Sequence, residues 1–375
     1  MLAIAALSAR SLVECAARDG LASVALDLFG DVDTCRAALQ WLPIGAAPSL
    51  RIDAEALLQA LERLAARGDV RGWIAGAGFE GRSGLLAQGA ARLPLIGTQA
   101  DDVRRLRDPR DFFDALDAQG IAHPEVAFAS PASAAGWLRK DAGGCGGCQV
   151  QRAADTAGLP PAAGHYWQRE RPGRAMSATF IANGSDAVLL GFNAQIQRPI
   201  GPHPFVFSGV VGPLPVADAV QRDIGAAARK LAALYRLRGL GSIDFVQDGD
   251  HAEVLEVNPR PTASALLYPR VGAAGPLQAH LRACLHGELP PAPAPQQPVR
   301  GFETLFARRP MTLGARGAAR LGALADVHDL PHEGTWFAAG APLCSVSASG
   351  RDAEQVRVTL AARRDSLLQE LEDLS

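Results

Sequence analysis

The segment from Gly241 to Pro261 (GSIDFVQDGDHAEVLEVNPRP) holds the residues with the clearest capacity for chemistry: Asp244, Glu256, Asn258 and Arg260. It reads as two short strands joined by a tight turn at Asp248-Gly249-Asp250. Side chains alternate faces along a strand, so Glu256 and Asn258 point the same way. A turn that leaves an odd number of residues in its loop would set Asp244 directly opposite Glu256. Two carboxylates and an amide oxygen on one sheet face suit hard, oxygen-preferring Mg²⁺ bridged to nucleotide phosphates. Arg260 adds a fixed cation within reach of a phosphate or a carboxylate. The competing account is a plain hairpin, because antiparallel sheets commonly leave one polar face in water.

A second feature tips that balance. Of 37 Lys plus Arg residues only Lys140 and Lys230 are lysines. Lys140 ends the stretch Ala134-Ala-Gly-Trp-Leu-Arg-Lys and precedes Asp-Ala-Gly-Gly-Cys-Gly-Gly-Cys148. A lysine at a strand end beside such a loop can place a compact ammonium on a phosphate, while glycine backbone N–H groups close over the same anion. The spacing is not that of a P-loop, which needs Gly-Lys-Ser/Thr and a helix behind it. Coupled to Glu-x-Asn-Pro-Arg further along the chain, the lysine and its loop become a stronger signal.

Lys140 with its glycine loop, then Tyr166-Trp-Gln-Arg-Glu170, then Asp244 and Glu256-Val-Asn258, resembles an ATP-grasp enzyme in order and spacing across roughly residues 100 to 290. The resemblance implies an α/β and α+β architecture: a Rossmann-like N-terminal domain (1–98), a two-subdomain ATP-grasp fold (99–289, lid 122–166, hinge 167–171), a proline-rich linker (290–298) and a small α+β appendage (299–375). It implies that Lys140 contacts ATP phosphates under a lid containing Gly143, Gly144, Gly146 and Gly147. It implies that Gln168, Arg169 and Glu170 lie against adenine and ribose, and that Asp244, Glu256 and Asn258 carry Mg²⁺ or Mn²⁺. One departure stands out. The family's further lysine, before the lid, is replaced by Arg107-Asp108-Pro109-Arg110, so Arg107 or Arg110 is the candidate substitute.

Composition bounds the alternatives. A 375-residue chain has room for two or three domains, and 48% apolar with 20% charged residues is ordinary for a globular protein. A net charge of −2 provides no electrostatic case for nucleic acid or an anionic membrane. Apolar runs fall short of a membrane span, and Met1 to Leu7 reads as a first strand without a basic leader, which points to the cytoplasm. The six cysteines (15, 35, 145, 148, 284, 344) form no disulfide framework. Cys145 and Cys148 make a Cys-x-x-Cys without a second pair at zinc-site spacing, so small side chains filling a loop is the simpler account.

Along the chain, Leu2–Leu7, the helix from Ser11 and the strand from Ala22 make a βαβ pattern. Its turn, Ser8-Ala-Arg-Ser11, lacks the dinucleotide fingerprint. Asp53 caps a helix that stops at Gly68, and Trp73-Ile-Ala75 opens into Gly76-Ala-Gly-Phe-Glu80. Ligands of open α/β sheets sit beyond the carboxyl ends of strands, so Ser8, Arg10, Gly78 and Glu80 are candidate substrate contacts. Gln197 to Gly212, with two Gly-Pro steps, reads as an irregular loop carrying His203, another candidate at the acceptor.

The chemistry expected is ATP-dependent ligation: a carboxylate activated as an acyl phosphate, with Lys140 and Arg260 as the catalytic cations, then joined to an amine. Small-molecule acid and amine substrates follow, with no nucleic acid or membrane partner; a homodimer is an assembly this reading allows. Similarity extends to a branch that includes the tyramine–glutamate ligase and related carboligases. The alternatives are a biotin-carboxylase-like enzyme that activates bicarbonate and a non-catalytic ATP-binding sensor.

Overall fold

The computed structural model describes residues 1–156, 164–293 and 298–374. The N-terminal unit opens with β1 (Leu2–Ala5), α1 (Arg10–Arg18), β2 (Ser23–Asp27) and β3 (Gln40–Pro43). Next come α2 (Ala54–Ala66) and β4 (Trp73–Ala75). The strands form a parallel sheet in the order β3-β2-β1-β4. Every residue of β1 and β2 is buried, as parallel strands covered by helices on both faces require. In α2 the residues Leu57, Ala60, Leu61 and Leu64 make one buried stripe at helical spacing. Asp53 caps that helix by accepting from the Ala56 N–H at 3.0 Å, as its sequence position predicts.

Two helices, α3 (Ala100–Arg107) and α4 (Pro109–Gln119), lead to a small antiparallel sheet. Asp108 caps α4, with Pro109 in its first turn. The small sheet contains β5 (Val126–Ala127), β6 (Trp137–Asp141), β7 (Val150–Arg152) and β8 (His165–Arg169), in the order β5-β8-β6-β7. The rest of the expected lid, residues 157–163, lies outside the described residues.

An eight-stranded antiparallel sheet forms the centre. Its first members are β9 (Arg174–Asn183), β10 (Ala187–Ile200) and β11 (His203–Leu214). After α5 (Asp218–Leu234) come β12 (Arg238–Asp248) and β13 (His251–Asn258), and then α6 (Pro276–His286). The C-terminal strands are β14 (Val299–Phe306), β15 (Val327–His328) and β16 (Pro342–Gly350), followed by α7 (Ala353–Leu374). The spatial order is β13-β12-β9-β10-β11-β14-β16-β15. Met176, Ala178 and Phe180 of β9 and Ile243 and Phe245 of β12 face a core shared with α5 and α7. The alternate residues, including Ser177 and Asp244, are left for the opposite face.

Two expectations change. Gln197 to Gly212 is not an irregular loop: β10 runs on to Ile200, and β11 starts at His203. Bulges near Phe192, Ile196 and Arg198 absorb the irregular sequence, and Gly201-Pro202 forms the turn. The C-terminal segment is α+β as expected, but it continues the central sheet by pairing β14 with β11. Of the proline-rich linker, residues 294–297 lie outside the described residues. Among the described residues, no helix is long and apolar enough to cross a membrane.

A buried charge cluster ties the N-terminal unit to this C-terminal segment. Arg10 donates to both carboxylate oxygens of Asp329, at 2.9 and 3.1 Å, and to Glu14 at 2.9 Å. Asp33 anchors the same loop by accepting the backbone N–H groups of Asp329 and Leu330. Glu14, Asp33 and His328 bring ligand-type atoms within 4.8 Å of one another, with the Arg10 guanidinium already supplying the cation. Burial works against the Arg10 charge, but Asp329, Glu14 and Asp33 outweigh it and hold its pKa above the ordinary arginine value. Asp329→Asn should therefore lower unfolding free energy by about 3 kcal/mol, measured by denaturant titration, because it leaves a buried guanidinium short of its bidentate partner.

Asp31 is the opposite case. Burial, then Asp329, Asp27 and Asp33, raise its pKa from 3.8 to about 8. The folded state thus binds a proton that the unfolded state releases, and the contribution of Asp31 to stability falls as pH rises from about 4 to about 8. Asp31→Asn should match the native protein near pH 4 and gain stability over it progressively up to pH 8, read from unfolding curves across that range.

Candidate active site

The juxtaposition expected of a metal-ligand set rests on a register defect. In the β12–β13 hairpin Asp248 faces His251 across the two-residue loop Gly249-Asp250. Continued without interruption, that register would set Asp244 opposite Leu255. A bulge between Asp244 and Phe245 shifts the ladder by one residue, so Asp244 faces Glu256 and Ser242 faces Asn258. The expected juxtaposition is present, produced by the bulge and not by an odd-numbered loop. The Asn258 Nδ2 donates to Ser242 Oγ and Asp244 Oδ2, both at 3.4 Å, which turns its Oδ1 away from those partners. Burial first, and then the facing Glu256, push the Asp244 carboxyl well above the usual aspartate range.

Cations from three parts of the chain converge on these acids. Arg107, at the end of α3, donates to Glu256 Oε2 at 3.2 Å. Its other terminal nitrogen donates to the carbonyls of Ala142 and Gly144, at 2.8 and 3.0 Å. Lys140 sits on β6, opposite Tyr166 of β8 and Val150 of β7. Burial pulls its pKa below the ordinary lysine value, while Glu256 and Asp244 act in the other direction. Arg260 pairs with Glu80 of the N-terminal unit and donates more weakly to Asn258 Oδ1 at 3.4 Å.

These groups wall one cavity of about 560 Å³. Lys140, Arg107, Asp244, Glu256, Asn258 and Arg260 all line it. So do Gln168, Arg169 and Glu170 from the expected hinge. Gln168 is fully buried, and both of its amide atoms lack a hydrogen-bond partner among the described residues. Arg169 stacks its guanidinium 4.5 Å from the Trp137 ring centroid, and Glu170 accepts from Arg152.

Of the loop glycines, Gly146 and Gly147 line the cavity while Gly143 and Gly144 sit outside its wall. The loop is packed against β11: Phe207 N–H donates to the Gly146 carbonyl at 2.8 Å. A Cβ on Gly147 would lie 1.9 Å from the Phe205 carbonyl oxygen, so this approach admits only glycine.

The N-terminal candidates are placed differently. Leu7 and Ala77, from the loops after β1 and β4, reach the cavity wall, while Ser8, Arg10, Gly78 and Glu80 do not. Ser8 and Arg10 turn to Asp329. Gly78 donates its N–H to Glu80 at 2.7 Å, and Glu80 is committed to Arg260. His203 begins β11, opposite Ile200, and is not part of the wall. Gln195, Gln197, Phe205 and Phe207, by contrast, do line it. The alternation of Gln195 and Gln197 was a readable strand signal, masked by the Gly-Pro steps that followed.

Residues 107–264 match the family model for an ATP-grasp domain. The arginine-specific large chain of carbamoyl phosphate synthase from Bacillus subtilis (strain 168) is 26% identical over 217 residues. That alignment covers 52% of this chain but only 21% of the relative, so the chain spans about a fifth of its length. Among solved structures, N5-carboxyaminoimidazole ribonucleotide synthetase from Thermus thermophilus superposes with a TM-score of 0.68 at 16% identity, covering 99% of this chain and 98% of that one. The L-amino acid ligase from Bacillus licheniformis gives 0.68 at 15% identity, covering 99% and 96%. Biotin carboxylase from Campylobacter jejuni gives 0.70 at 13% identity, covering 99% and 94%. At such identities the likeness is one of fold, and it extends along nearly the whole chain. Residues 107–264 of this protein are an ATP-grasp domain.

Proposed function

We propose that this protein is an ATP- and Mg²⁺-dependent ligase that activates a carboxylate as an acyl phosphate and joins it to an amine. The observation that carries this reading is the meeting of the Asp244/Glu256/Asn258 face with Lys140, from a separate sheet, across one cavity. Two carboxylates and an amide oxygen are hard donors that fit Mg²⁺ or Mn²⁺, which when bound neutralises the phosphates during transfer. Lys140 binds the triphosphate as a point charge, and Arg107 replaces the family's missing lysine as the second cation there.

Gln168 presents a donor and an acceptor with no protein partner among the described residues, the pairing that an adenine edge satisfies. The transferred phosphoryl group leaves ADP as the acid's carboxylate oxygen bonds to phosphorus, and Arg260 stabilises the charge spread over it. The amine nitrogen then bonds to the acyl carbon, phosphate departs and the amine loses a proton. The glycine loop excludes water, which would otherwise hydrolyse the acyl phosphate.

Incubation with ATP, Mg²⁺ and a panel of amino acids, amines such as tyramine, and bicarbonate should release ADP and phosphate only with the correct acid and acceptor. ADP release driven by bicarbonate without an amine would mark a carboxylase-type member, and tight ATP binding without release across the panel would mark a sensor. Glu256→Gln should cut Mg²⁺-dependent turnover about a hundredfold or more while the protein keeps its circular-dichroism spectrum. Gln168→Ala should weaken ATP binding roughly tenfold by calorimetry, with little effect on the metal requirement, through loss of about 1.4 kcal/mol of base recognition.

A further inference from the structure

We infer that Glu80, in the N-terminal unit, is the positioning residue that aims Arg260 at the transferred phosphoryl group; this rests on the function proposed above. Arg260 lies between competing acceptors. On one side Glu80 Oε1 receives both Nε and a terminal nitrogen of the guanidinium. On the other, Asn258 Oδ1 lies 3.4 Å away, and Glu256 also attracts the charge. An arginine side chain is long and has many rotamers, so its aim depends on a partner that holds one edge. Without Glu80 the guanidinium would relax toward Asn258 and Glu256, the residues proposed to hold the metal. With Glu80 in place, the Nε edge is engaged; the other terminal nitrogen donates to the Pro261 carbonyl at 3.3 Å and keeps a second N–H for an incoming anion.

The backbone around Glu80 is built for this placement. Its second oxygen, Oε2, accepts the Gly78 N–H at 2.7 Å, which fixes the carboxylate against its own loop. Gly78 has a φ of +108°, and a Cβ there would lie 2.8 Å from Leu7 and 2.9 Å from Ile52. Gly81, at φ +68°, packs so closely on the glycine loop that a Cβ would meet Gly143 Cα at 2.6 Å. The one short segment from Gly78 to Gly81 therefore touches both the catalytic arginine and the loop that covers the phosphates. Glu80 is almost wholly buried, its side chain only 7% exposed. A carboxylate placed there without a task would carry a large desolvation cost.

The test needs no acceptor. Mg²⁺, ADP and aluminium fluoride mimic the phosphoryl group in flight, and their joint affinity is measured for wild type, Glu80→Gln, Arg260→Ala and the double variant. Glu80→Gln, a near-isosteric change, should weaken the fluoride complex ten- to a hundredfold. It should leave MgADP affinity within about twofold and the melting temperature within a few degrees. The double variant should be no weaker than Arg260→Ala alone. A Glu80→Gln protein that forms the fluoride complex as wild type does, or a loss that multiplies with that of Arg260→Ala, overturns the inference. If Arg260→Ala itself leaves the complex intact, the role of Arg260 in phosphoryl transfer falls, and the positioning role of Glu80 falls with it.

Discussion

Two carboxylates facing each other on a sheet, Asp244 and Glu256, are the constraint around which this protein is organised. Like charges at cross-strand distance repel, and burial raises the cost because the surroundings screen poorly. The raised pKa of Asp244 is the local sign of that cost. The arrangement persists only if positive charge is brought to it. Arg107 arrives from α3, Lys140 from the small sheet and Arg260 from beyond β13, each held by a different part of the chain. This charge pattern suits the polyanion and divalent cation proposed above, which together would neutralise both halves at once.

The need to hold those cations in place accounts for much of the surrounding architecture. Arg107 does double duty, bonded to Glu256 and to two carbonyls of the glycine loop, so the loop and the acidic face are linked through one planar group. An arginine can make such a bridge because its donors fan out in a rigid plane; a lysine ammonium on a flexible stem is a poorer match. The N-terminal unit supplies Glu80 for Arg260 and the Leu7 and Ala77 walls. It is in turn fastened to the C-terminal segment by Arg10 and Asp329. The Arg10 cluster is structural, whereas the Glu80 pair is the one inferred above to bear on the chemistry.

Much of this was legible in the residue order. The β1–α1–β2 unit, the capped α2, the Lys140 strand with its glycine loop, and the β12–β13 hairpin all follow from periodicity, capping and turn residues, which act over a few neighbours. The shared face of Glu256 and Asn258 follows from strand alternation alone. The run from Gln197 to Gly212 was misread because its glycines and prolines signal turns locally, while the long partners β10 and β11 tolerate them through bulges.

What the residue order determined by itself was which groups could do chemistry and which elements would carry them, because those depend on local geometry. Only the tertiary structure decided how they pair. It showed that Leu255 is the extra residue bringing Asp244 opposite Glu256, that Arg10 serves Asp329, 319 residues away, and that Glu80 serves Arg260 across 180 residues. Such partnerships are chosen by packing and by the demand that every buried charge find an opposite one. That demand is met in space, by whichever residue the fold brings near, and spacing along the chain carries no record of it.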